Sequence, residues 1–216
     1  MRKRTLWLGA LIAAAVTAVI AMLLIPPADR DDPDVKVIEP DLELEGDLPV
    51  LAEPTAFELR DHTGTRFDRA SLNGQVTIAG FVFTRCQTVC PLITLRMRKL
   101  QEQTRGTPVK LVSFSVDPQH DTPEVLAAYA AKAGADPARW RFVTGDPTEV
   151  RRVVAGMLRM SMDPDGTLQP NGVPNVVHTE HLALIDKSGR VRGYYDSSDD
   201  ERLARLHDDL TALLAE

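Results

Sequence analysis

Cysteine is scarce in this chain. Cys86 and Cys90 are the only two among 216 residues, so any thiol chemistry rests on a single pair. Basic surface is missing as well: no run of Lys and Arg marks a nucleic-acid face, and 31 acids against 25 bases leave a formal charge of -6, so no nucleic-acid partner is expected. Internal repeats are absent, which excludes a stacked-repeat architecture. What remains is enough chain for one ordinary domain plus an attachment.

The attachment is legible at the N-terminus. Leu6 to Ile25 is an unbroken run of twenty uncharged, mostly apolar residues. At about 1.5 Å per residue it spans a hydrocarbon core of roughly 30 Å, and so reads as a transmembrane helix. Arg2, Lys3 and Arg4 precede it, so the positive-inside rule keeps the N-terminus in the cytoplasm and sends the rest outward. The run is longer than the roughly 7 to 15 residues of a signal-peptide core, and Pro26 and Pro27 stand where cleavage would fall, which favours an anchor over a cleaved signal. Between Pro26 and Val50 nine acids face only Arg30 and Lys36, a net of -7, with no apolar periodicity. The expected organisation is a membrane anchor over 1–25, an acidic, Pro-containing tether over 26–53 and one domain over 54–216. The expected location is a bacterial inner membrane, single-pass, with the domain in the periplasm or outside the cell membrane.

Within the domain, residues 57–67 alternate around a Thr-Gly turn and predict a hairpin. The runs 75–83 (QVTIAGFVF) and 109–116 (VKLVSFSV) predict buried strands, and 140–144 (WRFVT) a short one. After the cysteines, Ile93, Met97 and Leu100 recur at helical spacing. Thr122 and Pro123 open a second helix, Asp146, Pro147 and Glu149 predict a capping box for a third, and Ser198 with Glu201 another for the last. Residues 162–174 read as a long loop, and 176–186 as a strand with a hairpin partner at 190–195. Alternating strands and helices ending in a hairpin and one helix predict an α/β fold of thioredoxin-like plan, a mixed central sheet with helices on both faces.

The cysteines then fall where an apolar strand meets a helix N-terminus, a place where the helix dipole favours thiolate. Three uses are open. A structural disulfide across so short a loop contributes only about 2 kcal/mol. A redox pair is feasible, because i, i+4 spacing keeps the sulfurs neighbours, although Gln87, Thr88 and Val89 make the gap one residue longer than the usual redox motif. A metal needs further ligands from His62, His120, His178, His181 and His207, of which His178 and His181 start the strand expected beside the cysteine strand. Two thiolates and one imidazole suit Cu(I), or Cu(II) with a weak extra ligand. Structural zinc takes four strong ligands and would need His181 or a carboxylate.

The run F-x-x-T-x-C-x-x-x-C-P (Phe81, Thr84, Cys86, Cys90, Pro91) is followed by Ser115 to Pro118, Asp121 to Pro123 and Trp140 to Gly145, then by His178-Thr179 with Leu184-Ile185-Asp186 and Gly189. Together these resemble the Sco/SenC family over about residues 53 to 215. The resemblance implies a membrane-anchored, thioredoxin-like protein serving in copper delivery to cytochrome c oxidase, chiefly its CuA centre. It implies Cys86, Cys90 and His178 as copper ligands, with His178 preferred to His181 because a small hydroxyl residue follows it and Leu184 stands six beyond it. It places Asp117 near the site as a residue acting behind the ligands. Gln87-Thr88 replace the Pro-Asp or Pro-Thr of many members and leave the ligands intact. The expected partners are the oxidase subunit carrying the CuA site, a thiol reductant and the membrane. The alternative function is a thiol-disulfide oxidoreductase that reduces that subunit's cysteines, with Cys86 and Cys90 as the catalytic pair.

Overall fold

The hexapeptide TIAGFV at Thr77–Val82 is buried at every position, so both faces of this strand must be covered. The computed structural model describes residues 48–87, 90–160, 163–169, 174–177 and 180–216. The expected anchor, most of the expected tether and His178 lie outside them. Among the described residues no helix is long and apolar enough to cross a membrane.

In chain order the strands are β1 (Glu58–Asp61), β2 (Arg66–Asp68), β3 (Thr77–Val82), β4 (Lys110–Ser115), β5 (Trp140–Thr144), β6 (Asp163–Leu168), β7 (Pro174–Val177), β8 (His181–Ile185) and β9 (Val191–Asp196). The helices are α1 (Cys90–Gln103), α2 (Pro123–Ala133), α3 (Pro147–Arg151), which continues as a π-helical segment Arg152–Met157, and α4 (Asp200–Ala215). Seven strands form one sheet in the order β2-β1-β5-β4-β3-β8-β9, while β6 and β7 form a separate two-stranded ribbon. Strands β3, β4 and β5 run parallel, and β1 and β8 close on them antiparallel. This is the expected mixed sheet.

Its two faces bury two clusters. One holds Ile78, Leu111, Trp140 and Phe142 under Ile93 and Met97 of α1, Leu126 of α2 and Leu210 of α4. The other holds Ala79, Phe81, Val112 and Phe114 under Phe57, Phe67, Leu72 and the valines of α3 and its π-helical extension. Helices therefore cover both faces. Gly80 leaves room for the Leu182 side chain of β8, because a Cβ there would lie 3.0 Å from Leu182 Cδ2, whereas Met97 Sδ of α1, at 3.5 Å, would be in ordinary contact. The chain from Leu48 to Ala52 lies along the start of β9, with Leu51 N–H donating to Val191 O at 2.8 Å and Arg192 donating to Leu48 O.

Local departures from the sequence reading have local causes. Asp146 caps α3 through Thr148 N–H and Glu149 N–H, but Glu149 turns its carboxylate to Glu58 N–H and Arg152 instead of closing a box. The last helix is capped by Asp199, because Ser198 spends its hydroxyl on Asp196. The expected long loop contains β6 and ends where β7 begins, at Pro174, and the strand expected over 176–186 is divided into the end of β7 and β8.

Candidate metal centre

Val82 pairs with Ser115, so the parallel strands β3 and β4 end level and the loops after them emerge side by side. The first loop carries the cysteines. Phe83 O accepts from Cys86 N–H at 2.9 Å, which closes a turn with Thr84 and Arg85 at its centre. Cys90 opens α1 one helical turn later. Both thiols are buried, Cys86 at 8% and Cys90 at 0% exposure, and no disulfide joins them.

They touch each other. The hydrogen bond between the Cys90 and Cys86 thiols pushes the Cys90 pKa far up, and burial and the neighbouring Asp121 carboxylate push the same way, against a lowering bond to the Phe83 backbone. A helix N-terminus was expected to favour thiolate at this junction, yet here burial and the paired thiol dominate.

The second loop grips the first at two adjacent points. The Asp121 side chain is fully buried and accepts from Thr84 Oγ1, from Thr84 N–H at 3.3 Å and from Ser115 Oγ at 2.7 Å, and it pairs with His120 Nδ1 at 3.2 Å. Asp117 takes the Arg85 guanidinium at 2.6 and 2.9 Å. Burial raises the Asp117 carboxyl above its ordinary range even though Arg85 pulls it down. A third contact reaches the loop from the β6–β7 ribbon, where Gln169 Oε1 accepts from Gln87 N–H at 2.8 Å.

Cys86, Cys90 and Asp117 thus meet at one end of the sheet. Asp117 is bonded to Arg85 of the cysteine loop and not to a thiol. His178 lies outside the described residues; it follows β7 by one position and precedes β8, the strand paired with β3. Asp121 and Gln169 went unseen as site residues. Asp121 carried a signal, since its Asp-Thr-Pro follows Ser-Val-Asp-Pro within the same loop, whereas nothing in sequence marks Gln169. Among the described residues Asp117, His120 and Asp121 are the one trio with ligand atoms all within 4.8 Å, but the Asp121 oxygens are taken by hydroxyls. The soft donors are the two sulfurs.

A mixed sheet covered on both faces, with a touching thiol pair where a central parallel strand gives way to a helix, is the plan of a thioredoxin-like dithiol domain. The chain belongs to the SCO1/SenC family, which residues 50–214 match. A SCO1 protein homolog from Bacillus subtilis is 30% identical over 151 residues, covering 68% of this chain and 76% of that protein. The structure of Bradyrhizobium japonicum ScoI with copper bound aligns with TM-score 0.62 and 26% identity over 74% of this chain and 100% of that one. BsSco, described as a member of the Sco family of cytochrome c oxidase assembly proteins with a disulfide switch, aligns with TM-score 0.65 and 27% identity over 79% of this chain and 99% of that one.

Proposed function

We propose that this chain is an exported, membrane-tethered copper chaperone that binds one copper through Cys86, Cys90 and His178 and hands it to the CuA-bearing subunit of cytochrome c oxidase by ligand exchange. In this reading residues 1–25 anchor the protein in the inner membrane, 26–53 tether it and the domain works in the periplasm. The observation that carries it is the contact between two buried, unbridged thiols at a strand-to-helix junction. Two sulfurs in an apolar setting of Phe81, Phe83 and Val116 form a soft, water-poor donor pair, and soft thiolate selects Cu(I). Cu(I) entry displaces the thiol protons, and its charge offsets the thiolates that burial disfavours. Copper-bound ScoI supports the same cargo here.

A protein acceptor also has a surface to meet. Leu92 and Leu95 stand exposed on the first turns of α1 after Cys90, and Leu168 is exposed one residue before Gln169. Large apolar side chains left uncovered beside a transfer site fit docking against another protein.

The test is an anaerobic titration of the reduced protein with Cu(I) against a chromophoric chelator. One tightly bound copper is expected, with Cys86→Ser, Cys90→Ser and His178→Ala each weakening it about 10-fold or more. The Cu(II) form should display a strong thiolate charge-transfer band. If Cys86→Ser and His178→Ala bind copper as the parent does, the reading is lost.

The same thiol contact supports a second reading, a thiol-disulfide oxidoreductase acting on the oxidase subunit's cysteines, and the disulfide switch described for BsSco favours keeping it. One sulfur attacks the target disulfide and the other displaces it, so two electrons and two protons pass to the target and Cys86–Cys90 becomes the disulfide. Disulfide reduction that is insensitive to His178→Ala, in a protein that holds copper weakly, would favour this reading.

A further inference from the structure

The turn that delivers Cys86 has Thr84 and Arg85 as its two central residues, and each is held by a different aspartate of the loop after β4. Arg85 goes to Asp117, which the family resemblance had placed near the site. Thr84 goes to Asp121, through both its hydroxyl and its amide.

Asp121 is unusual in its partners. It is a fully buried carboxylate whose neighbours are two hydroxyls, one amide and one imidazole. An ionised carboxylate has acceptor sites enough for all of them. An asparagine has one acceptor oxygen and would turn an N–H₂ toward a hydroxyl or the amide. The donors also come from separate segments, Thr84 from the cysteine loop and Ser115 from the end of β4. Asp121 therefore ties the cysteine turn to the sheet's most central parallel pair.

We infer that Asp121 is a positioning residue for the dithiol, acting through Thr84 to fix the turn Phe83–Cys86 and so the placement of the Cys86 sulfur against Cys90. The inference rests on the copper reading for its metal readout, but the placement of two sulfurs is also measurable without metal.

The experiment uses the full chain, with Asp121→Asn, Thr84→Val, Thr84→Ser and the double variant Thr84→Val/Asp121→Asn. Thr84→Val keeps shape and removes only the hydroxyl, so it remains informative if Asp121→Asn folds poorly. Two quantities are read: Cu(I) affinity by chelator competition, and the dithiol–disulfide equilibrium against glutathione, in which two glutathione thiols form as Cys86 and Cys90 lose two hydrogens to a disulfide. Outer partners of metal sites typically tune affinity about 10- to 100-fold. Asp121→Asn should weaken copper by about that factor and shift the glutathione equilibrium about 10-fold or more. Thr84→Val should move both the same way by a smaller factor, and Thr84→Ser should stay within about threefold of the parent. The double variant should be no worse than Asp121→Asn alone, because both changes break one contact. In a Cys86→Ser background Thr84→Val should leave copper binding unchanged.

Thr84→Val within threefold of the parent in both readouts overturns the inference. So does a double variant whose effects multiply. If Cys86→Ser binds copper like the parent, the copper reading falls, while the glutathione equilibrium still decides the role of Asp121.

Discussion

Two buried aspartates mark opposite ends of β3, and they are solvated in opposite ways. Asp186 follows the residue of β8 that pairs with Thr77 at the strand's start. It accepts from Ser188 and Arg190 N–H at 2.9 and 3.0 Å and from the guanidinium groups of Arg190 and Arg192 at 2.8 and 3.0 Å. Arg192 then reaches Leu48 O and Glu216, so the entering and leaving ends of the domain are both tied to this charge pair. Asp121, beyond the other end, is bound by hydroxyls, an amide and His120, and it ties down the turn before Cys86. A carboxylate neutralised by arginine closes the fold, whereas one held by hydroxyls orders the site. The difference lies in what the tethered segments carry.

Breaking the Asp186 end should give the largest effect. Arg192→Met removes a guanidinium buried to 4% exposure beside a carboxylate equally buried. Losing the only partner of a buried charge costs about 3–5 kcal/mol, and because the Arg190 guanidinium stays on Asp186 the loss should fall toward the low end of that range. Urea unfolding should register that loss, while copper affinity of the folded protein stays at the parent value. A change in copper affinity would mean that the two ends are coupled and would dissolve the contrast.

Acid sharpens the same comparison. Burial pushes the Asp186 carboxyl up, but the Arg190 amide and the Arg192 guanidinium outweigh it and hold the pKa below the ordinary value. At Asp61 burial is likewise outweighed, by the Thr63 hydroxyl and amide and by Arg141. For a carboxylate depressed on folding, the stabilisation is full above the unfolded value of about 3.9 and is lost as pH falls through the folded one. Stability should hold from neutral pH to about pH 5 and then fall. The urea midpoint of the parent should drop more steeply from pH 5 to pH 3 than that of Arg192→Met. Equal slopes would show that the Asp186 pair carries no share of the acid loss.

How much of this was legible in the sequence depended on whether a feature is set by local pattern or by pairing. The strand Trp140–Thr144 and the Thr122–Pro123 helix start appear where an apolar run and capping chemistry put them, and the cysteines stand at the expected junction. The stretch from α3 onward is helical and buries Val150, Val153, Val154, Met157 and Leu158, but its π-helical turn, which inserts one residue into the helical stripe, was not legible. Leu158 N–H reaches back five residues to Val153 O, a shift that a 3.6-residue period cannot register. The β6–β7 ribbon went unseen because Asp163–Leu168, DPDGTL, carries turn residues and no apolar alternation. The Thr84–Asp121 contact spans 37 residues and exists only because β3 and β4 end level, which no single segment encodes.

Smaller effects are expected at the cysteine end. Thr84→Val deletes a hydroxyl bonded to a buried carboxylate, a class of hydrogen bond worth about 1.5–3 kcal/mol. Chemical denaturation should place the loss at or below the low end of that range, because Thr84 N–H continues to donate to Asp121 at 3.3 Å. A loss as large as that of Arg192→Met would make Asp121 a fold-closing charge like Asp186.

Asp117→Asn should be the mildest change. Burial lifts the Asp117 carboxyl above its ordinary value despite Arg85, so ionisation is harder in the folded chain than in the unfolded one. The sign is then opposite to Asp186: this group favours the folded state at low pH, and the advantage disappears as pH rises through the unfolded value toward the folded one. At pH 7 the ionised side chain retains its pair with Arg85, but that guanidinium is 38% exposed and screened by water. An asparagine keeps an acceptor for Arg85 and removes the buried charge. The two effects oppose, so stability at pH 7 should move by about 1 kcal/mol or less. Unlike Asp121→Asn, this variant should leave the glutathione equilibrium within about threefold of the parent, because Asp121 still holds Thr84 in the same turn. A loss of several kcal/mol, or a 10-fold shift of that equilibrium, would place control of the turn with Arg85 and not with Thr84.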